Sequence, residues 1–279
     1  MTALAIETFA LSKEYVPGVR ALDGLDLRVE KGEIFGFLGP NGAGKSTTIR
    51  LLLDLIRPTG GRAEILGFDC QGQSQEVRAA VGHLPGDVRL YPNMTGKQTV
   101  DFFRNLRQRK VNQSRVSYLA ERLELNLEQK AGELSKGNRQ KLGLLIALLD
   151  KPPVLLLDEP TSGLDPLLQH TVWDILREAA TQGVTVFFSS HVMSEVEETC
   201  ERVGILRKGR LAEVSTVDTL KARALRRIEA RFAEKVPEPG EFDSDGVREV
   251  ERNGNRVELE ILGELDPVLK KLAKYEVTA

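Results

Sequence analysis

Gly39-Pro40-Asn41-Gly42-Ala43-Gly44-Lys45-Ser46 is the stretch that decides the fold of this chain, because it satisfies the pattern G-x-x-x-x-G-K-[ST]. An apolar run, residues 33–38, comes immediately before it, and residues 45–55 have the spacing of a helix. A strand, a glycine loop and a helix in this order are the context that a phosphate-binding loop requires. A chance glycine turn that carries Lys-Ser is a poor explanation once both flanking elements are present. The stretch therefore predicts an α/β core built around a phosphate-binding loop.

The loop residues are suited to hold the phosphates of a nucleotide. Glycines allow consecutive backbone N–H groups to face inward, and a helix that begins near Lys45 adds about half a positive charge at its N-terminus. Lys45 is expected to reach the β- and γ-phosphates, and the Ser46 hydroxyl to take one position on an octahedral Mg²⁺. The other residues expected to contact the nucleotide here are Gly39, Asn41, Gly42, Ala43, Gly44 and Thr47. On its own, the motif identifies no more than a nucleotide-binding protein.

Composition narrows the class of protein and its partners. At 279 residues the chain is long enough for about two domains of ordinary size. A net charge of -2 offers no general basic surface for a polyanion, so we expect no nucleic-acid partner. Two cysteines, Cys70 and Cys200, are too few for a disulfide framework and fit a reducing compartment. No apolar run approaches the ~18 residues of a membrane span, so the polypeptide is expected to be soluble alone and to reach a membrane through a partner.

Alternating strands and helices predict a parallel sheet behind the glycine loop. Val154–Asp158 is a continuous apolar run, which is typical of a central parallel strand buried on both faces. Helix and strand patterns then alternate over residues 167–181, 184–189, 193–200 and 202–206. Residues 3–30 instead have the pattern of antiparallel strands, with a first strand from Ala3 to Ser12, a connection, and a second strand from Leu22. The prediction is a P-loop NTPase core over residues 1–220, with a parallel central sheet, an antiparallel β subdomain and a helical insert at about residues 87–150. Within the insert, Val100, Phe103 and Leu106 are expected on one face of a helix, and an apolar helix, Leu142–Leu149, is expected to close it.

The pattern changes near Leu220. Arg226–Phe232 and Arg256–Ile261 alternate as strands do, and Pro267–Lys274 has helical spacing. Residues 221–279 are therefore predicted to form a small C-terminal α+β domain. These residues contain no nucleotide motif of their own.

Two adjacent acids, Asp158 and Glu159, close the buried strand. In phosphate-loop enzymes an aspartate at this place holds Mg²⁺, and a neighbouring glutamate can polarise an attacking water. Buried carboxylates need a cation or several donors. A solvated strand end therefore explains either acid alone better than it explains the pair. Asp158 is therefore a candidate to hold the metal, and Glu159 is a candidate to polarise the attacking water.

Further motifs resemble those of the ATP-binding subunits of ABC transporters. Leu134–Lys141, which reads Leu-Ser-Lys-Gly-Asn-Arg-Gln-Lys, resembles the signature loop of that family. Ser162–Asp165 resembles its D-loop, and His191, after the next strand, resembles its switch histidine. Ser135 is also a natural N-cap, which would bring backbone donors, the helix dipole and a hydroxyl to one point. The resemblance extends over roughly residues 3 to 220, and the order of the motifs makes an accidental match remote.

The resemblance implies which residues bind and hydrolyse ATP. Ser135, Gly137 and Asn138 of one copy would contact the γ-phosphate that is held by the phosphate-binding loop of a second copy. Tyr15 corresponds to the aromatic residue that stacks on adenine. The implied catalytic residues are Glu159 as base, with Lys45 and His191 as charge stabilisers. Ser46 and Asp158 would hold Mg²⁺.

Two positions depart from the family pattern. Leu84-Pro85-Gly86-Asp87 stands where the family usually has the glutamine of the Q-loop, and Gly86 has no side chain to offer Mg²⁺ or water. Asp87 or solvent could supply the missing ligand, and Gly86 is a candidate hinge. The signature also has Lys136 where glycine is commoner.

The resemblance implies a Mg²⁺-dependent ATPase that closes as an ATP-sandwich homodimer and drives a separate transmembrane permease. Gly82–Pro85, Leu90–Thr95, Leu134–Asn138 and the small C-terminal domain resemble exporter subunits of the antibiotic-resistance and sodium-efflux type. The protein is then expected at the cytoplasmic face of the cell membrane, bound peripherally. An apolar and aromatic group, Leu90–Met94 with Phe102 and Phe103, would suit the docking of a permease helix. The alternative is that both phenylalanines face the core of the insert itself, which is the better explanation for Phe103.

Two other classes of protein stay open on the sequence alone. A soluble ABC ATPase that acts on nucleic acid or ribosomes would need no membrane subunit. Three features of this chain speak against that class. The chain has a single set of nucleotide-binding motifs, it lacks long coiled-coil heptads, and it is mildly acidic. A regulatory module that binds nucleotide without hydrolysis is disfavoured by Glu159 and His191.

Overall fold

The computed structural model describes residues 3–106, 112–223, 225–233, 237–244, 246–263 and 265–278. The chain divides into two compact units, residues 1–214 and residues 215–279.

The strands of the described residues are numbered in chain order. They are β1 (Leu4–Val16), β2 (Val19–Glu30), β3 (Ile34–Leu38), β4 (Gly60–Ile65), β5 (Phe68–Asp69), β6 (Val81–Leu84), β7 (Val154–Asp158), β8 (Thr185–Ser190), β9 (Arg202–Arg207), β10 (Arg210–Thr216), β11 (Leu225–Arg231), β12 (Val247–Asn253) and β13 (Arg256–Leu262).

The α-helices of the same residues are α1 (Lys45–Leu52), α2 (Ser74–Ala80), α3 (Gly96–Leu106), α4 (Gln113–Arg122), α5 (Lys136–Leu148), α6 (Pro166–Thr181), α7 (Met193–Thr199), α8 (Val217–Arg223) and α9 (Asp266–Leu272). Within the described ranges, no helix combines the length and the hydrophobicity that crossing a membrane demands.

The antiparallel sheet has the strand order β2-β1-β4-β5. Its two long strands form a hairpin whose register runs from Leu4 opposite Glu30 to Val16 opposite Val19. The sequence pattern predicted that the first strand ends at Ser12 and that a connection follows. The hairpin instead continues for four more residues, because its pairing persists through several bulges up to the turn before Val19. Tyr15 consequently lies on a strand.

The second sheet of the first unit, which contains the parallel strands, has the strand order β10-β9-β3-β8-β7-β6. β3 pairs in parallel with β8 and β9, while β7 pairs in parallel with β8 and β6. Every residue of β7 and of β8 is buried, as the continuous apolar run of β7 predicted. Because the strands are parallel, the carboxyl ends of β3, β6, β7 and β8 meet at one edge of the sheet. This edge therefore gathers the glycine loop, Gly86, Asp158 and His191.

The helical insert contains α3, α4 and the longer α5. The pattern predicted a closing helix from Leu142, whereas α5 begins at Lys136. It begins early because the Ser135 hydroxyl accepts the Asn138 N–H at 3.2 Å and so caps the first turn. Leu106, which was expected on the apolar face of α3, is 61% exposed. Residues 107–111 of the predicted insert lie outside the described residues.

The second unit contains a sheet of order β11-β13-β12 and helix α9. One face of this sheet is apolar, and it buries Val257, Leu259 and Ile261 together with Phe232 and Val268. The alternation of Arg256–Ile261 predicted this strand and its buried face. The sequence pattern did not identify β12, because its residues are mostly charged and its pairing contains a register shift.

Candidate functional site

The glycine loop follows β3 and needs glycine at two of its positions for steric reasons. A Cβ on Gly39 would lie 2.4 Å from the carbonyl oxygen of Leu206. A Cβ on Gly44 would lie 2.5 Å from the carbonyl oxygen of Ala21, and Gly44 has a φ of 115°, which other residues avoid. The loop therefore passes close to neighbouring backbone on two sides, and Gly44 is the N-cap of α1. The N-terminus of α1, at the end of this loop, is suited to bind an anion.

Lys45 is buried within this loop, with 5% of its surface exposed. Its Nζ donates hydrogen bonds to the carbonyl oxygens of Gly39 at 2.5 Å and Pro40 at 3.2 Å. It also lies 3.9 Å from Glu159 Oε1. Burial lowers the pKa of Lys45, and the nearby carboxylates of Glu159 and Asp158 oppose that shift. The ammonium group of Lys45 therefore lies next to both the loop and the acid pair.

A cavity of about 290 Å³, here called the loop cavity, opens beside these residues. It is lined by Tyr15, Ala21, Asn41, Gly42, Gly44, Lys45, Ser46, Thr47 and Glu159. The Tyr15 hydroxyl lies 3.3 Å from Thr47 Oγ1, and its ring is half exposed at the mouth. The structure therefore brings the predicted loop residues together with Tyr15. Gly39 and Ala43, which were also predicted to contact the nucleotide, do not line this cavity.

A second cavity of about 480 Å³, the strand-edge cavity, lies on the other side of Ser46. Asp158 and Glu159 also line it. Asp158 Oδ1 accepts the Ser189 hydroxyl at 2.5 Å, which leaves Oδ2 facing the backbone of Gly86. The described residues contain no cluster of three or more His, Cys, Asp or Glu side chains that could hold a metal. Hydroxyl and carboxylate oxygens of this kind nevertheless suit Mg²⁺, which takes few protein ligands and completes its shell with phosphate and water.

Glu159 is held in an unusual conformation. Its φ is 50°, in the left-handed region that non-glycine residues rarely adopt. Its N–H donates to Ser189, and its carbonyl oxygen accepts the Gln140 side chain at 3.0 Å. Its carboxylate Oε1 lies 3.1 Å from His191 Nδ1. The structure therefore joins the predicted base to the predicted switch histidine and fixes the backbone of the base from both sides.

The position of the missing glutamine is filled by backbone. A Cβ on Gly86 would lie 3.1 Å from Asp158 Oδ2, so this segment passes directly over the acid. The Asp87 carboxylate accepts a hydrogen bond from Arg89 at 2.8 Å. His83 lines the strand-edge cavity, and its Nδ1 lies 3.0 Å from the carbonyl oxygen of Leu156. Burial lowers the pKa of His83, so its ring is neutral near pH 7.

The signature residues lie elsewhere. Ser135, Gly137 and Asn138 line neither of the two cavities. A Cβ on Gly137 would lie 2.7 Å from the carbonyl oxygen of Gly163, so the start of α5 packs closely on the D-loop segment, Ser162–Asp165. Lys136 Nζ donates to Ser162 Oγ at 3.4 Å. The signature and the D-loop segment therefore form one continuous surface.

Sequence reasoning missed three polar residues at this site. Ser189 bonds Asp158, Gln140 bonds Glu159, and Glu195 accepts hydrogen bonds from Thr161 and Ser190. Ser189 was within reach of prediction, because it is the last but one residue of β8 and lies directly opposite Asp158 in the parallel register. Gln140 and Glu195 lie on helices and carry no local pattern that points to the acid pair.

The comparison with protein families agrees with this geometry. The model of the family described as ABC transporter matches residues 22–162. The multidrug ABC transporter ATP-binding protein YbhF of Escherichia coli K12, described as probable, is 38% identical over 224 residues, 78% of this chain and 38% of YbhF. The daunorubicin resistance ATP-binding protein DrrA2 of Streptomyces coeruleorubidus is 34% identical over 267 residues, 92% of this chain and 83% of DrrA2. The chain thus spans well under half the length of one relative and most of the other.

A solved structure gives the same result for the fold. The ATP-binding subunit of an ABC transporter superposes on 78% of this chain and 92% of its own length, with a TM-score of 0.71 and 27% sequence identity. The chain belongs to the ABC transporter family as an ATP-binding subunit. Its P-loop NTPase fold, with a parallel-containing sheet and an antiparallel subdomain, is confirmed.

Proposed function

We propose that this chain is the ATP-hydrolysing subunit of an exporter and that it works as an ATP-sandwich dimer joined to a separate permease. The observation that carries the proposal is the meeting of Lys45, Glu159 and His191 beside the loop cavity. An ammonium, a carboxylate and an imidazole around a polyphosphate are groups that phosphoryl transfer to water uses.

ATP and Mg²⁺ are the proposed ligands. The lining of the loop cavity supports ATP, with the phosphates on the loop N–H groups and Lys45 and the adenine against Tyr15. Ser46 and Asp158 would hold Mg²⁺, and the presence of both residues in the lining of the strand-edge cavity supports this assignment. Mg²⁺ bound there supplies neutralisation of charge on the β- and γ-phosphates.

The chain's own residues divide the chemical work. Glu159 takes the proton from the attacking water as that water bonds to the γ-phosphorus and the bond to the β–γ bridging oxygen breaks. Lys45 faces the negative charge that spreads over the phosphoryl oxygens. His191 shares this task, and its 3.1 Å contact with Glu159 keeps the base and the imidazole aligned. The left-handed backbone conformation of Glu159 fixes this residue in the lining of the loop cavity.

A second copy of the chain completes the site. Ser135, Gly137 and Asn138 lie outside both cavities, yet they combine a capping hydroxyl with the N-terminus of a 13-residue helix. Such a surface suits a γ-phosphate presented by another molecule. Charge-assisted hydrogen bonds to that phosphate contribute about 1.5–3 kcal/mol each. Hydrolysis removes them and shifts the population from the closed to the open dimer.

The permease is proposed from the family and from one surface. The two relatives are named for multidrug transport and for daunorubicin resistance, which supports export. The exposed Tyr91 ring packs edge-on against Phe102, with centroids 5.5 Å apart, and could receive a helix of the permease. We therefore propose that the chain is a peripheral subunit at the cytoplasmic face of the membrane. The permease, which is a separate polypeptide, would select the exported compound.

The E159Q variant tests the ATPase proposal. It should keep ATP binding while turnover falls by about 10²–10⁴-fold, because a positioned base contributes that much. With ATP and Mg²⁺ the variant should elute as a dimer in size-exclusion chromatography. Glu128→Gln, which removes an exposed acid of the insert, is the matched control and should behave as wild type. Near-normal turnover of E159Q would remove Glu159 from the role of base, and a monomer at all workable ATP concentrations would remove the sandwich dimer.

Purification from solubilised membranes tests the permease. We expect a polytopic membrane protein to co-purify with the chain in stoichiometric amount. Recovery of ribosomes or nucleic acid without a membrane subunit would instead favour the soluble class of ABC ATPase.

A further inference from the structure

The D-loop segment and the switch histidine are tied to one carboxylate that has no role in the proposal so far. Thr161 Oγ1 donates to Glu195 Oε1 at 2.5 Å, and Ser190 Oγ donates to Glu195 Oε2. Thr161 and Ser190 are each 1% exposed, and Glu195 is half-buried in the first turn of α7. Ser190 Oγ also accepts the Val192 N–H at 2.9 Å, which sets the turn that carries the histidine. Charge-assisted hydrogen bonds from buried hydroxyls are strong, so Glu195 fixes the two segments relative to each other.

Hydrogen bonds and short stretches of backbone together form a closed ring of connections around the ends of β7 and β8, here called the circuit. From Glu195 the circuit passes through Ser190 to His191, whose Nδ1 lies 3.1 Å from Glu159 Oε1. From Glu159 it returns along the chain through Pro160 to the Thr161 hydroxyl and back to the Glu195 carboxylate. A displacement at one member of this circuit is therefore transmitted to the pair formed by the base and the histidine.

The circuit also reaches the proposed dimer surface. Thr161 immediately precedes the D-loop segment, Ser162–Asp165. Within that segment Ser162 accepts the Lys136 ammonium at 3.4 Å, and Gly163 packs against Gly137 of the signature. The surface that a second copy would touch is thus joined to Glu195 through one residue.

We propose that Glu195 is a positioning residue for ATP hydrolysis, which aligns His191 with Glu159 and links that alignment to the placement of the D-loop segment. The inference rests on the proposed ATPase function. Glu195 lines neither the loop cavity nor the strand-edge cavity, so it acts through Thr161 and Ser190 and not on the nucleotide. The coupling runs through observed hydrogen bonds, and double-mutant cycles can measure it.

The Glu195→Ala variant should lower kcat by about 10- to 100-fold, the cost expected when reacting groups are displaced by about 1 Å. KM for ATP should stay within about threefold, because the loop and Tyr15 are untouched. Glu195→Gln should restore kcat to within about threefold of wild type, since its amide offers one acceptor and one donor, and a hydroxyl can serve as either. Glu197→Gln is the matched control: Glu197 is on the same helix and, in the described structure, has no hydrogen bond to Thr161 or Ser190.

The NMR signals of the His191 imidazole give a second readout. These signals would not change if Glu195 had a purely structural role. The chain has three histidines, so the ¹⁵N ring signals of His191 can be assigned by comparison with His191→Ala. Glu195→Ala should shift these signals, and Glu197→Gln should leave them in place. In the His191→Ala background, adding Glu195→Ala should change kcat by less than about twofold, because both act through one residue.

Several results would overturn this inference. A folded Glu195→Ala protein with wild-type kcat and unchanged His191 signals would do so, and so would fully additive effects with His191→Ala. If Glu195→Ala does not fold, Thr161→Val removes one of the two bonds at nearly constant shape. It should lower kcat about threefold or more, the effect of losing one net hydrogen bond, and wild-type kcat would overturn the inference. Failure of the proposed function is distinguishable, because the wild-type protein would then not hydrolyse ATP at all.

Discussion

At the scale of single residues, the site depends on backbone positions as much as on side chains. Glu159 occupies the left-handed region with a φ of 50°, a conformation that costs free energy and persists only where neighbours hold it. Ser189 and Gln140 bond its N–H and its carbonyl oxygen. Gly39 and Gly44 approach other backbone so closely that a Cβ does not fit. The residues that a motif search finds are therefore held in place by residues that it does not find.

Gly137→Ala tests how closely the signature packs on the D-loop segment. The new Cβ would lie 2.7 Å from the carbonyl oxygen of Gly163, so one of the two segments must move. ATPase kcat/KM should fall about tenfold or more, while ATP binding to the monomer is unchanged, because the loop cavity is not involved. Alanine is favoured over glycine inside a helix by about 1 kcal/mol, so lower thermal stability is not expected to explain the loss.

Gly60→Ala is the matched control for that variant. Gly60 lies on β4, and the nearest atom to a new Cβ there would be 3.7 Å away. Its ATPase activity should equal that of wild type. An active Gly137→Ala protein would show that the contact with Gly163 relaxes without consequence.

At the scale of elements, helix starts follow their capping residues. Ser135 caps α5 and Asp165 caps α6, and each side chain accepts a backbone N–H of the first turn. The helix that the sequence pattern predicted over residues 167–181 begins within one residue of the observed start of α6. The end of β1 was predicted wrongly, because the pairing of a bulged hairpin depends on the partner strand and not on local alternation.

The contact between α4 and α6 carries a prediction at this scale. Glu178 of α6 accepts hydrogen bonds from Tyr118 at 2.8 Å and from Arg122 at 2.9 Å, both on α4. Glu178→Gln should lower the free energy of unfolding by about 0.5–1 kcal/mol in urea titrations, because the pairs are largely exposed, and 1 M salt should reduce the difference. Glu121→Gln, an exposed acid on α4, is the control and should be neutral.

The difference in free energy of unfolding between wild type and Glu178→Gln should depend on pH with a definite sign. The hydrogen bond from Arg122 is the main cause that lowers the pKa of Glu178 below its ordinary value of 4.5. A carboxyl with a lowered pKa in the folded state stabilises the fold above its unfolded pKa, and the stabilisation is lost as pH falls through the folded pKa. The difference between wild type and Glu178→Gln should therefore be full at pH 7 and shrink below pH 4.5. A difference that grows toward low pH would contradict this assignment.

At the scale of the whole molecule, the two compact units have separate apolar cores. The core of the second unit includes Leu259, which is fully buried, and the glycine loop, Asp158, Glu159 and His191 all belong to the first. Leu259→Ala should therefore destabilise the second unit by about 2–5 kcal/mol, the cost of a large-to-small core substitution. ATP binding to the first unit should be unaffected.

Scanning calorimetry of the intact chain can check this prediction. We expect two unfolding transitions in the wild-type protein, one for each unit. Leu259→Ala should lower the midpoint temperature of the second unit, while ATP with Mg²⁺ should raise that of the first. The exposed Leu269→Ala of α9 is the control within the same unit and should leave both transitions in place. A single transition that Leu259→Ala lowers as a whole would show that the two units unfold together.

The amino-acid sequence by itself determined the phosphate-binding loop, the buried strand with its two acids, the capped helices and the membership of residues 22–162 in the ABC transporter family. These features are local, because they depend on residue spacing within one element and its neighbour in the chain. Only the tertiary structure brought Ser189 to Asp158, Gln140 to Glu159 and Glu195 to Thr161, since the two members of each of these pairs lie 19 or more positions apart along the chain. Pairing between distant strands is set by the burial of the whole sheet, so a short sequence pattern does not predict it.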